Sequence, residues 1–234
     1  MSEPFDVQDE LKLFSGTAPL FPLPNVVHFP QTWLPLQIFE PRYREMVTDA
    51  LNGDRMIAMA LLRPNWEPCY QSKSVEIHQI VCLGRISVEE KLADGRFNLA
   101  LRGLCRAHID SELETDLPYR TAELTLLPDH YSSVPTIDRR HRQRELLSGA
   151  MEFLPELQSY PLLHQLLEAE IPLGVLCDVL AHSLGLNTDD AQLLLNEPDV
   201  DVRSDLVPYH LRRGQRRDPT VMSQRPFPPK FSAN

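Results

Sequence analysis

Apolar residues in the first half of the chain fall mostly into short segments of strand length, with a single helical pattern among them. The helical pattern is one apolar stripe with the spacing i, i+3, i+4, i+7 and i+8, formed by Tyr43, Met46, Val47, Ala50 and Leu51. Segments of strand length follow it at residues 56–62, 80–83, 85–89, 97–101, 104–109 and 119–127. Several short strands at close spacing, with one embedded helix, predict a small twisted β-barrel over residues 18–128.

The pattern changes after the last of these segments, and apolar residues then recur at helical spacing. Residues 129–135 are mostly polar and predict a linker, whereas residues 136–212 predict a helical subdomain. The chain from residue 213 to 234 is rich in proline and poor in apolar residues, which predicts a disordered tail. Residues 1–17 show no periodicity and predict a mobile lead-in. The predicted fold class is therefore α+β, a barrel followed by a helical bundle.

Charge and cysteine content argue against several classes of function. The 234-residue chain has 23 basic and 33 acidic side chains and a net charge of −10 at neutral pH. A protein whose main partner is nucleic acid usually has a basic balance or a basic face, so the charge argues against that class. The four cysteines form no close pair of the kind that holds zinc or a redox disulfide. No secretory signal or membrane-spanning run is recognisable, which predicts a cytoplasmic protein without a membrane partner.

One segment is specific enough to suggest a family, because it joins a strand, a turn and a helix start in one order. It reads Pro35-Leu36-Gln37-Ile38-Phe39-Glu40-Pro41-Arg42-Tyr43, and Pro41 suits the first position of a helix. Together with residues 20–30 it resembles the opening of the amino-terminal, substrate-binding domain of Lon proteases, which is also found in cereblon. The resemblance extends over about residues 19–211. It implies a PUA-like barrel, a trailing helical bundle and recognition of protein substrates. Gln31 departs from the family, which more often has glycine there.

The sequence offers no pattern for catalysis. Full-length Lon proteases continue into an ATPase and a serine–lysine peptidase, but no Gly-x4-Gly-Lys-Ser/Thr phosphate-binding loop occurs in this chain. Lys12, Lys73, Lys91 and Lys230 fall in the lead-in, a loop, a hairpin and the tail, where none is expected to be desolvated as a catalytic base. We therefore expect no catalytic, cofactor or metal site. A name inherited from ATP-dependent Lon-like peptidases would then describe a chain without its own catalytic site.

The first functional hypothesis is a non-catalytic recognition module that binds unfolded segments or a partner protein, with a role in presenting substrates for proteolysis. An extended peptide would dock on an exposed sheet edge or an apolar cleft. Trp33 and Trp66 are candidate anchors because exposed aromatic residues in loops often hold partners, although each could instead plug one end of the barrel. Glu40 and Arg42 are candidates for lining a cleft. The pattern favours a structural role for both, at the helix start and as a brace across the barrel.

The second hypothesis is an RNA-binding module, since the barrel implied by the resemblance is similar to the PUA fold of RNA-binding proteins. Its candidate residues are the basic cluster that opens the helical subdomain, Arg139, Arg140, Arg142 and Arg144. No aromatic residue interleaves this cluster for base stacking, which counts against binding of single strands. A solvated helix face is the alternative interpretation. Oligomeric state and the identity of the partner stay open.

Overall fold

The computed structural model of the chain describes residues 7–70, 72, 74–153, 171–183 and 185–214. The chain divides into two compact units, the first ending at Pro128 and the second beginning at Asp129. Strands dominate the first unit and helices the second, so the predicted α+β class is confirmed. Among the described residues, every helix is too short or too polar to span a bilayer. The tail beyond Gly214 lies outside the described residues, and its predicted disorder stays a prediction.

The first unit is built on one mixed six-stranded sheet. Its elements are α1 (Gln8–Leu11), β1 (Thr17–Leu23), β2 (Trp33–Ile38), α2 (Pro41–Asn52), β3 (Met56–Leu61), β4 (Ile80–Lys91), β5 (Phe97–Glu112) and β6 (Arg120–Leu127). The strand order is β2-β5-β4-β3-β1-β6, and β6 also pairs with β5. Among the strand pairs that the structure describes, only β1–β3 is parallel. The sheet therefore curls back on itself. It is not a fully closed barrel, because among the described strands β2 pairs with β5 alone.

Helix α2 covers one side of the curled sheet. Its stripe is confirmed, since Tyr43, Met46, Val47 and Ala50 are buried and pack in one cluster with residues of β2, β3 and β5. Proline at the first helical position has the fixed φ that a helix needs and no N–H to leave unsatisfied. Only two residues separate the end of β2 from the start of the helix, which fixes the β2–α2 corner.

The start of the chain is packed rather than free from residue 7 onwards, although the sequence pattern predicts a mobile lead-in up to residue 17. Val7 is buried in the core of the first unit. Glu10, in α1, lies between two arginines of neighbouring strands, 2.8 Å from Arg102 and 3.4 Å from Arg85. These charge pairs link partners 92 and 75 positions apart, and local periodicity carries no signal for such contacts.

The second unit contains α3 (Arg139–Phe153), α4 (Leu173–Ser183), α5 (Thr188–Asn196) and α6 (Val200–Gly214). Arg203 of α6 is fully buried within this unit. Its Nη2 donates to Asp129 Oδ1 at 2.7 Å, its Nη1 donates to the Glu197 carbonyl at 2.6 Å, and its Nε lies 3.3 Å from Asp178 Oδ1. Asp129 belongs to the segment that the sequence predicts as a linker, so this ion pair holds the segment against the helices of its own unit.

Candidate functional site

Among the strands that the structure describes, β2 pairs with one neighbour only, so its other edge is open. It pairs with β5 from Trp33 opposite Arg102 to Ile38 opposite Phe97. Pro35 has no N–H to donate, so its pairing with Ala100 is of the type without hydrogen bonds, and the neighbouring pairs carry the bonds between the strands. The backbone groups of Trp33, Pro35 and Gln37 consequently point away from β5. This edge presents the N–H groups of Trp33 and Gln37 and the carbonyls of all three residues.

An apolar strip lies on the face of the sheet next to this edge. Side chains alternate across a strand, and Leu34 and Leu36 pack on the core, so their neighbours in β2 face the other way. Along this outer face the register pairs Pro35 with Ala100 and Ala100 with Val88. We call Trp33, Pro35, Ala100 and Val88 the outer strip. Trp33 is 51% exposed and Val88 61% exposed, so the strip offers apolar surface to solvent.

Polar side chains border the outer strip on both sides. On one side Gln37 Nε2 donates to Asn98 Oδ1 at 3.2 Å, and Asn98 Nδ2 donates to Glu90 Oε2 at 3.2 Å. On the other side Arg102 donates to Glu10 and to Gln31 Oε1. A partly exposed apolar centre within a hydrogen-bonded polar rim is the usual composition of a protein-binding surface.

Glu40 and Arg42 form an ion pair with one another and are mostly shielded from solvent. Arg42 Nε donates to Glu40 Oε2 at 3.0 Å, and both side chains are mostly buried. The Tyr70 hydroxyl donates to Glu40 Oε1 at 3.0 Å, and the Arg42 guanidinium donates to the Tyr70 carbonyl at 3.4 Å. These bonds tie the start of α2 to the loop after β3, which supports the structural interpretation of the pair.

Trp66 joins the same cluster and is only partly exposed. Its ring meets the ring of Tyr70 edge-on at 5.4 Å and packs against the core of the first unit. The crevice beside Arg42, Tyr43 and Tyr70 has about 10 Å³ of free volume, which is room for about one water molecule. The structure therefore brings Glu40, Arg42 and Trp66 together through Tyr70, and none of the described contacts of this cluster involves Trp33.

Sequence reasoning missed Tyr70, the residue that connects the cluster. The sequence feature that could have pointed to Tyr70 is its position, four residues after Trp66 in the same loop. Burial raises the pKa of Tyr70 to about 12, with a further contribution from the Glu40 carboxylate. Because this folded-state pKa lies above the ordinary tyrosine value of 10, the stability linked to it is fully present below pH 10 and is lost as the pH rises through about 12.

Replacing Glu40 with glutamine is expected to lower the pKa of Tyr70, because the neutral amide removes the negative charge that disfavours the phenolate. The pKa should stay above 10, since burial is the larger cause. Tyr70 ionisation can be followed by ultraviolet absorbance as the difference between each protein and its Tyr70→Phe variant. An unchanged Tyr70 titration in Glu40→Gln would show that the described hydrogen bond does not form in solution.

The arginine cluster of α3 is partly occupied in ion pairs of the second unit. Arg139 donates to both carboxylate oxygens of Asp201, at 2.6 and 3.0 Å, and holds the pKa of that buried carboxyl below its usual range. Arg142 lies 2.6 Å from Asp205, and Arg144 Nε donates to the Arg140 carbonyl. Arg139 and Arg142 thus stabilise the contact between α3 and α6, which leaves the cluster less suited to bind phosphate.

Comparison with known proteins places the chain among Lon domains. Residues 17–213 match the family model for the ATP-dependent protease La (LON) substrate-binding domain. The chain is 27% identical over 197 residues to the Lon protease of Dictyoglomus thermophilum, an alignment that covers 83% of this chain and 24% of that relative. It is 28% identical over 219 residues to the Lon protease of Geobacter metallireducens, covering 90% of this chain and 25% of that relative. The chain spans about a quarter of the length of these curated relatives.

Solved structures show the same fold. The N-terminal domain of the Mycobacterium avium complex Lon protease superposes with a TM-score of 0.66 at 14% identity, covering 84% of this chain and 98% of that one. The Lon N-terminal domain protein from Xanthomonas campestris gives a TM-score of 0.58 at 20% identity, covering 82% and 97%. Since the family model spans residues 17–213 of a 234-residue chain, the protein belongs to the Lon substrate-binding domain family.

Proposed function

We propose that this chain is a non-catalytic recognition module that binds extended polypeptide segments along the open edge of β2. The observation that carries the proposal is an edge of β2 that pairs with none of the described strands, with the half-exposed Trp33 beside it. Membership of a substrate-binding domain family supports polypeptide as the class of ligand. Presentation of the bound segment to a separate protease is the role that we infer for such a module.

Binding would proceed by strand addition. The incoming backbone pairs with the outward N–H and carbonyl groups of Trp33 and Gln37 and with the carbonyl of Pro35. These bonds involve backbone alone and therefore tolerate many sequences. Pro35 removes one donor from the edge, which also disfavours edge-to-edge pairing between two copies of the chain.

A comparison of the expected free energies indicates that Trp33 determines whether the peptide binds tightly. A backbone hydrogen bond contributes about 1 kcal/mol net, whereas ordering one residue of a flexible peptide costs about 1–2 kcal/mol. Backbone pairing alone thus leaves binding weak. Covering the exposed half of a large aromatic side chain adds about 1–2 kcal/mol, and each 1.4 kcal/mol is about ten-fold in affinity.

Trp33→Ala is therefore expected to weaken the binding of a labelled unstructured peptide about ten-fold, as measured by fluorescence anisotropy. Tyr209→Ala is the matched control, because Tyr209 is an aromatic residue of similar exposure, 55%, in the second unit. It should bind the peptide as the unaltered protein does. Equal losses in both variants would refute a specific role for Trp33.

Backbone N-methylation of the peptide tests strand addition itself. Methyl groups on alternate residues block one edge of an extended peptide and leave the other edge intact, so one methylated set should bind and the complementary set should not. Equal binding of both sets would exclude pairing with β2. Labelled single-stranded RNA is run in parallel over a salt series, because phosphate contacts weaken steeply as salt rises. Salt-sensitive RNA binding without peptide binding would favour the RNA hypothesis over this proposal.

A further inference from the structure

A groove separate from the Glu40 cluster lies between the first turns of α2 and the β4–β5 hairpin. It has a free volume of about 330 Å³, at the lower end of the range for ligand sites. Arg44 and Thr48 line it on the helix side, and Lys91, Gly95 and Phe97 line it on the hairpin side. This volume accommodates one or two amino-acid side chains.

The guanidinium of Arg44 is seated on the hairpin. Gly95 adopts a φ of +83°, and a Cβ atom added there would come within 2.0 Å of Arg44 Nη2. The absence of a side chain at Gly95 is thus what lets the guanidinium lie against the hairpin backbone. The hairpin turn and the helix together place this cation in the groove.

The neighbouring acidic residue of the hairpin is already engaged. Asp94 accepts hydrogen bonds from the backbone N–H of Arg96 at 3.0 Å and from Arg96 Nε at 2.7 Å. The Lys91 ammonium lies 5.5 Å from the centre of the buried Phe97 ring. Arg44 is near enough to Asp94 to contribute to the lowered pKa of that carboxyl. Within the part of the chain that the structure describes, neither Arg44 nor Lys91 donates a side-chain hydrogen bond to a carboxylate or lies in direct contact with one.

The local charge of the groove is positive although the chain is acidic. Arg44 and Lys91 contribute two positive charges, and Glu45, which also lines the groove, contributes one negative charge. The chain as a whole carries −10. A carboxylate has two coplanar oxygens that match the fork of an arginine, so its binding between Arg44 and Lys91 would satisfy both cations.

The groove lies at the end of the sheet where β2 finishes. Phe97 is the register partner of both Ile38, the last residue of β2, and Lys91. We propose that the groove binds the carboxylate of an acidic side chain, Asp or Glu, in the polypeptide that pairs with β2. The choice of ligand class rests on the proposed function. The consequence is a preference for peptides with an acidic residue beside one end of the strand-forming segment.

Two pairs of peptides test this inference. All share one apolar core, and they carry either Asp-Glu or the neutral Asn-Gln at the amino end or at the carboxyl end. At low salt, the acidic residues at one of the two ends should tighten binding about five-fold, the size expected of exposed ion pairs. The gain should disappear at high salt and in the double variant Arg44→Gln/Lys91→Gln. The variant Arg140→Gln/Arg144→Gln changes the net charge equally in the second unit and should keep the gain.

Carboxylate binding by the groove would be refuted if acidic and neutral peptides bound equally whichever end carried the substitution. It would also be refuted if the gain in affinity survived in Arg44→Gln/Lys91→Gln. The neutral peptides report on β2 alone, so their failure to bind counts against the proposed function rather than the groove. In that case a short Glu-rich peptide is titrated against isotope-labelled protein and compared with its Gln analogue. Amide shifts over residues 91–97 that need the glutamates and vanish in the double variant support the groove. Absence of such shifts overturns it.

Discussion

Arg203→Ala is expected to lower the free energy of unfolding of the helical unit by about 3–5 kcal/mol. The side chain of Arg203 is fully buried, and that of Asp178, 3.3 Å from its Nε, is 2% exposed. Removing the arginine leaves the carboxylate of Asp178 without this positive charge. It also removes the hydrogen bond that Arg203 donates to the Glu197 carbonyl. Loss of a charged partner in a water-excluded site costs far more than loss of an ion pair at the surface.

Urea denaturation followed by circular dichroism measures this loss. Arg142→Ala is the matched control because it removes the same charge from the same unit. Its partner Asp205 is 56% exposed, and a pair of that kind is worth about 1 kcal/mol or less. A midpoint for Arg203→Ala close to that of Arg142→Ala would mean that water reaches the buried site and the network is not structural.

Local signals in the sequence were sufficient to predict the elements that position the site. Pro41 begins α2, and the stripe from Tyr43 to Ala50 identifies the face of the helix that is buried. The second unit, away from the site, shows the same kind of local signal at Asn187, whose side-chain oxygen accepts a hydrogen bond from the Asp190 N–H at 2.8 Å and caps α5. Each of these features depends on residues within about two helical turns, which is the distance over which periodicity and capping act.

The parts that sequence reasoning could not supply depend on contacts between distant residues. The open edge of β2 exists because β5 bends from β2 to β6 along its length, and no property of residues 33–38 reveals that. The exposure of Trp33 and the partial burial of Trp66 follow from the same long-range pairing, although both lie in similar proline-rich surroundings. The contacts of Glu40 and Arg42 with Tyr70 are equally long-range, since 30 and 28 positions separate the partners.

Gln31 shows why a departure from the family pattern left the fold intact. It adopts a φ of +61°, the left-handed conformation that glycine takes most readily. A non-glycine residue there costs about 1–2 kcal/mol. The turn keeps its shape because Gln31 N–H donates to the Gly103 carbonyl at 2.9 Å, and its side chain accepts a hydrogen bond from Arg102. The long-range contacts of this turn therefore determine its conformation.

Gly103→Ala is expected to lower the free energy of unfolding by about 3 kcal/mol and to weaken peptide binding as well. A Cβ atom at residue 103 would come within 2.2 Å of the Phe29 carbonyl oxygen, an impossible separation. The obstacle is backbone, so no rotation of a side chain relieves it. The turn that must move runs directly into Trp33, because Gly103 N–H also donates to the Thr32 carbonyl at 2.9 Å.

Gly53→Ala separates this effect from the general cost of replacing a glycine. The nearest atoms to an added Cβ there are 3.6 and 3.7 Å away, so its cost in stability includes no steric overlap and its peptide affinity should not change. Both variants are compared by urea denaturation, and peptide binding is measured under conditions where each is fully folded. Weakened binding by folded Gly103→Ala would mean that the position of β2, and not only its sequence, determines recognition. Affinity equal to that of Gly53→Ala would place the peptide elsewhere on the molecule, since a displaced Trp33 could not then be its anchor.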